Sequence, residues 1–200
     1  MSILIGSSEQ FSHSKPRAWK IHLATQVLKQ GGVIAHPTEA IWGLACDPLQ
    51  ASSIVKLLEM KHRPVDKGLI LVSGHREHFH FLLDELSDTL KERFFAPQSS
   101  PTTWLVPDTK DKIPAYIKGK FSSVALRLTQ YPLISELSKS MGHAIISTSA
   151  NPAGMKPAAN AFKVNQYFSG SIDYILNAPL GAFPRPSVIR DLVSNKVIRG

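Results

Sequence analysis

The chain has 200 residues, 43% hydrophobic and 19% charged, which supplies one substantial core and argues against a disordered polymer. No apolar run reaches membrane-spanning length, and Ile3-Leu4-Ile5 has no basic segment before it, so neither a signal peptide nor a membrane span is expected. A single cysteine, Cys46, excludes an internal disulfide and fits a reducing cytoplasm, while 23 Lys+Arg against 15 Asp+Glu give a net charge of +8 that favours polyanionic partners such as nucleotides, RNA or acidic protein surfaces.

Residues 1–14 carry Gly6, Ser7, Ser8, Ser12 and Ser14 and read as a flexible N-terminal segment. Ser14 and Pro16 then mark a helix start, with Trp19, Leu23, Val27 and Leu28 as its apolar stripe and Gly31-Gly32 as its stop. Val33-Ile34-Ala35 is a short buried strand halted by Pro37, and a second helix is expected from about Gln50 to Lys61, with Ile54, Leu57 and Leu58 inward. Gly68 to Val72 is a continuously apolar strand of the kind covered on both faces. One or two helices fall between Arg76 and Phe95, and Pro97 to Pro101 breaks the chain. Thr102 to Val106 and Ser122 to Leu128 read as strands, Pro132 opens a helix that Gly142 closes, and Ala144 to Ser147 is a strand. Ala158 to Phe168 is helical, and Asp173 to Leu176, Val188 to Leu192 and Val197 to Arg199 are strands, the last two a hairpin around Ser194-Asn195. Alternating strands and helices predict an α/β fold with a mixed sheet, in one domain over 15–200.

Three segments carry chemistry. Lys61-His62-Arg63-Pro64-Val65-Asp66-Lys67 gathers cations at a strand entrance, where Pro64 keeps Arg63 out of a helix; such a cluster suits phosphate oxygens, or simply complements a helix C-terminus. In Ser123 to Leu128, strand alternation turns Val124, Leu126 and Leu128 inward and sets Ser123, Ala125 and Arg127 on the other face. Two small residues beside a guanidinium make room for a carboxylate or phosphate, though a solvated face with one incidental arginine has the same pattern. Ser147-Thr148-Ser149-Ala150-Asn151, if extended, places Ser147, Ser149 and Asn151 in one polar row at a strand end, able to hold ribose, phosphate or a small polar ligand, or else to cap the following helix. No Gly-x-Ser-x-Gly elbow or neighbouring base marks a nucleophilic serine there, and no Walker loop, dinucleotide fingerprint or HExxH helix occurs. His75, His78 and His80 are explained by an amphipathic helix with Phe79, Leu82 and Leu83 inward, and Cys46 as a small packed residue.

Taken together, PTEAIWGLACD (37–47), KHRPVDKGLILV (61–72), SVALRLTQYPL (123–133), STSANPAG (147–154), PSVIRDL (186–192) and VIRG (197–200) resemble the YrdC/TsaC family of threonylcarbamoyl-AMP synthases, in order and spacing, over about residues 18–200. The resemblance, to the short single-domain bacterial form, implies a twisted mixed sheet with flanking helices and a concave basic cleft. It implies a nucleotidyltransferase that converts L-threonine, bicarbonate and ATP to threonylcarbamoyl-AMP and pyrophosphate, in the cytoplasm. The product would feed, through a partner transferase complex, the threonylcarbamoyl modification of adenosine 37 in ANN-decoding tRNAs. By the same resemblance Lys61, Arg63, Lys67, Ser123, Ser149, Asn151 and Arg199 would bind ATP, and Thr38, Arg127, Ser147 and Ser187 would surround threonine. Lys61, Arg63 and Arg127 would act in catalysis, with Mg2+ carried by ATP rather than by protein ligands and with no prosthetic group.

The chain departs from the family pattern twice: Ala40 stands where many relatives have a hydroxyl, and Gln98-Ser99-Ser100-Pro101 replaces a Trp-Pro-Gly-Pro segment. Two other readings remain at this stage: a tRNA- or double-stranded-RNA-binding maturation factor without adenylate synthesis, and a carbamoyl-transfer relative with another acceptor.

Overall fold

The computed structural model describes residues 18–199, so the expectations of a flexible N-terminal segment and a Ser14 cap lie outside the described residues. Among the described residues, nine strands form one mixed sheet in the order β7-β1-β2-β6-β3-β5-β4-β8-β9. They are β1 (Ile34–Pro37), β2 (Trp42–Cys46), β3 (Ile70–Ser73), β4 (Thr102–Pro107), β5 (Ser123–Leu128), β6 (Ile145–Ser149), β7 (Tyr174–Ile175), β8 (Val188–Asp191) and β9 (Val197–Arg199). β3 and β5 run parallel, as do β1 with β7 and β4 with β8; the other neighbours are antiparallel. The helices are α1 (Ala18–Lys29), α2 (Ala51–Met60), α3 (His80–Leu83), α4 (Asp88–Phe95), α5 (Ala115–Lys118), α6 (Pro132–Met141) and α7 (Ala161–Phe168).

Strand alternation sorts the core onto two faces. On one face Ala35, Leu44, Cys46, Leu71, Val124, Leu126 and Ile146 pack with Ile54 and Leu57 of α2, Ile117 of α5 and Val164 of α7. On the other, Ile34, Ala45, Val72 and Ile145 pack under Ile21, Ala24 and Leu28 of α1 and Leu133, Ile134 and Leu137 of α6. α6 starts at a proline and stops where Gly142 turns left-handed at φ 81°, which ends the helical cover over the strands.

The second face decides where a ligand can sit. Neighbouring strands bring Ile145, Val72 and Arg127 into register, then Ser147, Ile70, Ala125 and Leu105, with Gly43 opposite Ser149 beyond them. Ile145 and Val72 lie under the two helices; along β6 Ser147 and Ser149 follow, and along β5 Ala125 and Ser123, while β3 and β4 keep Ile70 and Leu105 on the uncovered part. The sequence itself thus opens half of this sheet face.

Two expectations require correction. β2 was not expected between the first strand and the second helix; it is buried throughout, so it lacks the alternation that announces a half-exposed strand. In α1 Leu28 is buried and Val27 packs on the core as expected, but the stripe continues through Thr25, Ala24 and Ile21, while Trp19 and Leu23 are exposed. Elsewhere α2 is bounded by Gln50 and Lys61, α7 starts after an Asn160 cap rather than at Ala158, and Asn195, at φ 60°, turns the β8–β9 hairpin.

Candidate active site

The uncovered half of the sheet is the floor of a cavity of about 600 Å³, within the range of small-molecule sites. Thr38, Arg63, Lys67, Ser123, Arg127, Ser147, Ser149, Ser187 and Arg199 all line it, so segments from six parts of the sequence converge on one space. Ser123, Ala125 and Arg127 share the lining face, as strand alternation requires, with Val124 and Leu126 fully buried behind them.

Arg127 is 9% exposed and donates from Nη2 to Glu39 Oε2 at 3.0 Å, while Thr129 donates to the other Glu39 oxygen. Glu39 therefore neutralises and aims the guanidinium. Arg127 Nε is buried and has no partner among the described residues. A buried, unsatisfied donor of a charged group is costly, and a carboxylate entering the cavity would satisfy it. Thr38 has a different employment: its hydroxyl donates to Ile41 O at 2.8 Å and closes the β1–β2 turn. Ser187 Oγ lies 2.9 Å from Thr103 Oγ1, and the hydroxyls of Ser123 and Ser149 make no hydrogen bond among the described residues.

At the other end the charge is unbalanced. Arg63, Lys67, Lys118, Arg127, Arg185 and Arg199 line the cavity, against Glu39 as its acidic residue. Lys118 is paired with Asp108 and Asp111, and Arg127 with Glu39, whereas Arg63, Lys67, Arg185 and Arg199 form no ion pair among the described residues. Burial, and then the like charge of Arg199, lowers the proton affinity of Arg63. Arg63 Nη2 is tied to the carbonyls of Lys67 (3.2 Å) and Gly68 (2.8 Å), which fixes the guanidinium where an anion can meet it. This arrangement attracts a polyanion such as a triphosphate.

Two expected lining residues are not on the cavity wall. Lys61 is 3% exposed and donates to Ser149 O and to Asn151 O, the latter at 2.8 Å, while its own carbonyl accepts from Ala153 N at 2.8 Å. It staples the end of α2 to the turn that follows β6. Burial, helped by Arg63, pushes its pKa down to about 8. Asn151 does not extend the Ser147–Ser149 row, because β6 ends at Ser149 and the chain bends there. The Asn151 amide nitrogen donates to Pro152 O and Met155 O, holding its own loop.

A family model described as "Telomere recombination", Sua5_yciO_yrdC, matches residues 26–200. This chain belongs to the Sua5/YciO/YrdC family. Members similar to it include a threonylcarbamoyl-AMP synthase of Stutzerimonas stutzeri, 45% identical over 90% of this chain and 97% of that protein, and one of Pseudomonas paraeruginosa, 46% identical over 91% and 97%. Among solved structures, P. abyssi Sua5 complexed with L-threonine superposes with a TM-score of 0.76 at 27% identity, over 86% of this chain and 51% of that one. The chain thus spans about half the length of that Sua5. E. coli YciO, at 19% identity and a TM-score of 0.74, shares the fold.

For this Sua5/YciO/YrdC domain, sequence reasoning missed Glu39, His36, Lys118 and Arg185 as parts of the site. Glu39 lies in the quoted motif 37–47 and His36 just before it, but nothing in the spacing shows that Glu39 meets Arg127, 88 positions away. Arg185, set between prolines, offered a signal only as a cation in a stiff loop. Ala40 does sit on the cavity wall, as does Pro101 at the end of the altered Gln98-Ser99-Ser100 segment.

Proposed function

We propose that this protein is a threonylcarbamoyl-AMP synthase, joining L-threonine, bicarbonate and ATP in the cavity. The observation that carries the reading is one space with two distinct ends: a guanidinium aimed by a buried carboxylate, and a set of unpaired cations. Arg127 takes the threonine carboxylate, with Ser147 and Ser187 beside it and Thr38 shaping the turn. Arg63, Lys67 and Arg199 take the triphosphate, with Ser123 and Ser149 on the nucleotide. Lys61 and Asn151 serve that end by holding the Ser149 turn. Mg2+ arrives with ATP.

The threonine amine and bicarbonate condense to a carbamate with loss of water. A carbamate oxygen attacks the α-phosphorus, forming the P–O bond of the mixed anhydride as pyrophosphate leaves. Such transfer depends on positioning and charge stabilisation, which fixed guanidinium groups supply. The product feeds a tRNA-modifying transferase, and the reaction belongs in the cytoplasm. The test is pyrophosphate release from ATP and bicarbonate with and without L-threonine. Threonine-dependent release supports the synthase. Release without threonine points to another carbamoyl acceptor, and salt-sensitive RNA binding without release points to an RNA-binding factor.

A further inference from the structure

His36 is fully buried at the cavity end of β1. Its Nδ1 lies 3.0 Å from Pro37 O. A carbonyl oxygen only accepts, so the ring hydrogen sits on Nδ1 and Nε2 carries a bare lone pair. Nε2 lies 3.3 Å from Ser147 Oγ. The ring is neutral near pH 7: burial lowers its pKa to about 4, outweighing the pull of the Pro37 carbonyl, with Arg127 adding to the depression and Glu39 opposing it. The Ser147 hydroxyl hydrogen therefore points into the protein, and the oxygen's remaining lone pairs face the cavity.

The contact depends on a specific gap in the sheet. β1 and β6 lie on opposite sides of β2, about 10 Å apart at ordinary strand spacing. The imidazole crosses β2 above Gly43, where a Cβ would stand 3.2 Å from both Cε1 and Nε2. Gly43 pairs with His36 in the β1–β2 ladder and with Ser149 in the β2–β6 ladder, so its missing side chain opens the path to Ser147.

We infer that His36 is a positioning residue that fixes the Ser147 hydroxyl as an acceptor toward the cavity, where it receives an N–H of the substrate's amino group. The inference rests on the threonine reading above and deepens it. Arg127 recognises the carboxylate of an α-amino acid, while Ser147, with its hydrogen committed elsewhere, selects a group that only donates. An ammonium is such a group. Holding one N–H also fixes the direction of the lone pair that the amine exposes when it reacts with bicarbonate.

Steady-state kinetics of threonine-dependent pyrophosphate release test this with His36→Phe, His36→Gln and Ser147→Ala. The carboxylate analogue 3-hydroxybutanoate, which lacks the amino group, serves as competitive inhibitor. His36→Phe and Ser147→Ala raise the KM for threonine about threefold or more, with the KM for ATP and the inhibition constant of 3-hydroxybutanoate changed less than that. His36→Gln, whose amide oxygen can accept from Ser147, lies closer to wild type than His36→Phe does. Ser147→Ala leaves the imidazole in place and decides the matter if His36→Phe does not fold. A smaller change in the threonine KM, or a parallel weakening of threonine and 3-hydroxybutanoate, overturns the inference. Wild-type protein without threonine-dependent release defeats the threonine reading itself, before any variant is compared.

Discussion

Arg127 shows how one side chain's function depends on a partner distant in sequence. Lysine at this position keeps the charge and loses the planar fork that engages Glu39 and a carboxylate together. Arg127→Lys is expected to raise the KM for threonine by about tenfold or more, with the KM for ATP changed far less. An equal rise in both constants would contradict a threonine-side role. His36 makes a second prediction through its lowered pKa, from 6.5 to about 4. Between those values the unfolded chain takes up a proton that the folded chain refuses, so the contribution of His36 is present above about pH 6.5 and is lost as pH falls toward 4. Denaturant unfolding across that interval should therefore show the stability gap between wild type and His36→Gln narrowing as pH falls, and a constant gap would contradict a buried neutral ring. The faces of Ser123 and Arg127 were legible from strand alternation alone. The Glu39 and His36 contacts were not, because one joins the β1–β2 turn to β5 and the other joins β1 to β6, neighbourhoods set by sheet order rather than by local pattern.

At the scale of elements, the loop from α2 to β3 carries the cationic end of the site. Gly68 sits there at φ 62°, and a Cβ would approach Lys118 O to 2.8 Å. Gly68→Ala must adopt a backbone conformation that L residues disfavour and also push the α5 backbone away, which costs on the order of 1–3 kcal/mol. A thermal melt should register this as a fall of roughly 2–4 °C per kcal/mol for a chain of this size. The same variant should weaken ATP more than threonine, since Arg63 is anchored on the Lys67 and Gly68 carbonyls. An unchanged melting temperature would contradict the close approach. Most elements were legible because their caps and breakers are local: Pro132 and Gly142 for α6, Gly31 for α1, Asn195 for the last hairpin. β2 was hidden because it is buried on both faces between two antiparallel neighbours. The side of α1 that faces α6 was misjudged because Trp19 and Leu23 mimic an inward stripe, and packing against α6 decides otherwise.

Across the whole molecule, α1 and α6 cover only part of one sheet face, and the remainder is a floor of Gly43, Ala125 and serines beside Ile70 and Leu105, with cations around it. That floor brings an arginine paired with a buried carboxylate and a set of cations without ion pairs among the described residues into one cavity of about 600 Å³. The cavity was legible as a basic cleft only through family motifs, since net charge and scattered lysines fit an RNA-binding surface equally well. The structure adds the pairing: Lys118 and Arg127 are neutralised locally, and Arg63, Lys67, Arg185 and Arg199 line the cavity without an ion pair among the described residues. The most direct measurement incubates the purified protein with ATP, Mg2+, L-threonine and 13C-bicarbonate and identifies the nucleotide product by mass spectrometry. The account predicts threonylcarbamoyl-AMP carrying the label, formed together with pyrophosphate and absent when threonine is omitted. An adenylate without the label, or no threonine-containing adenylate at all, would contradict it.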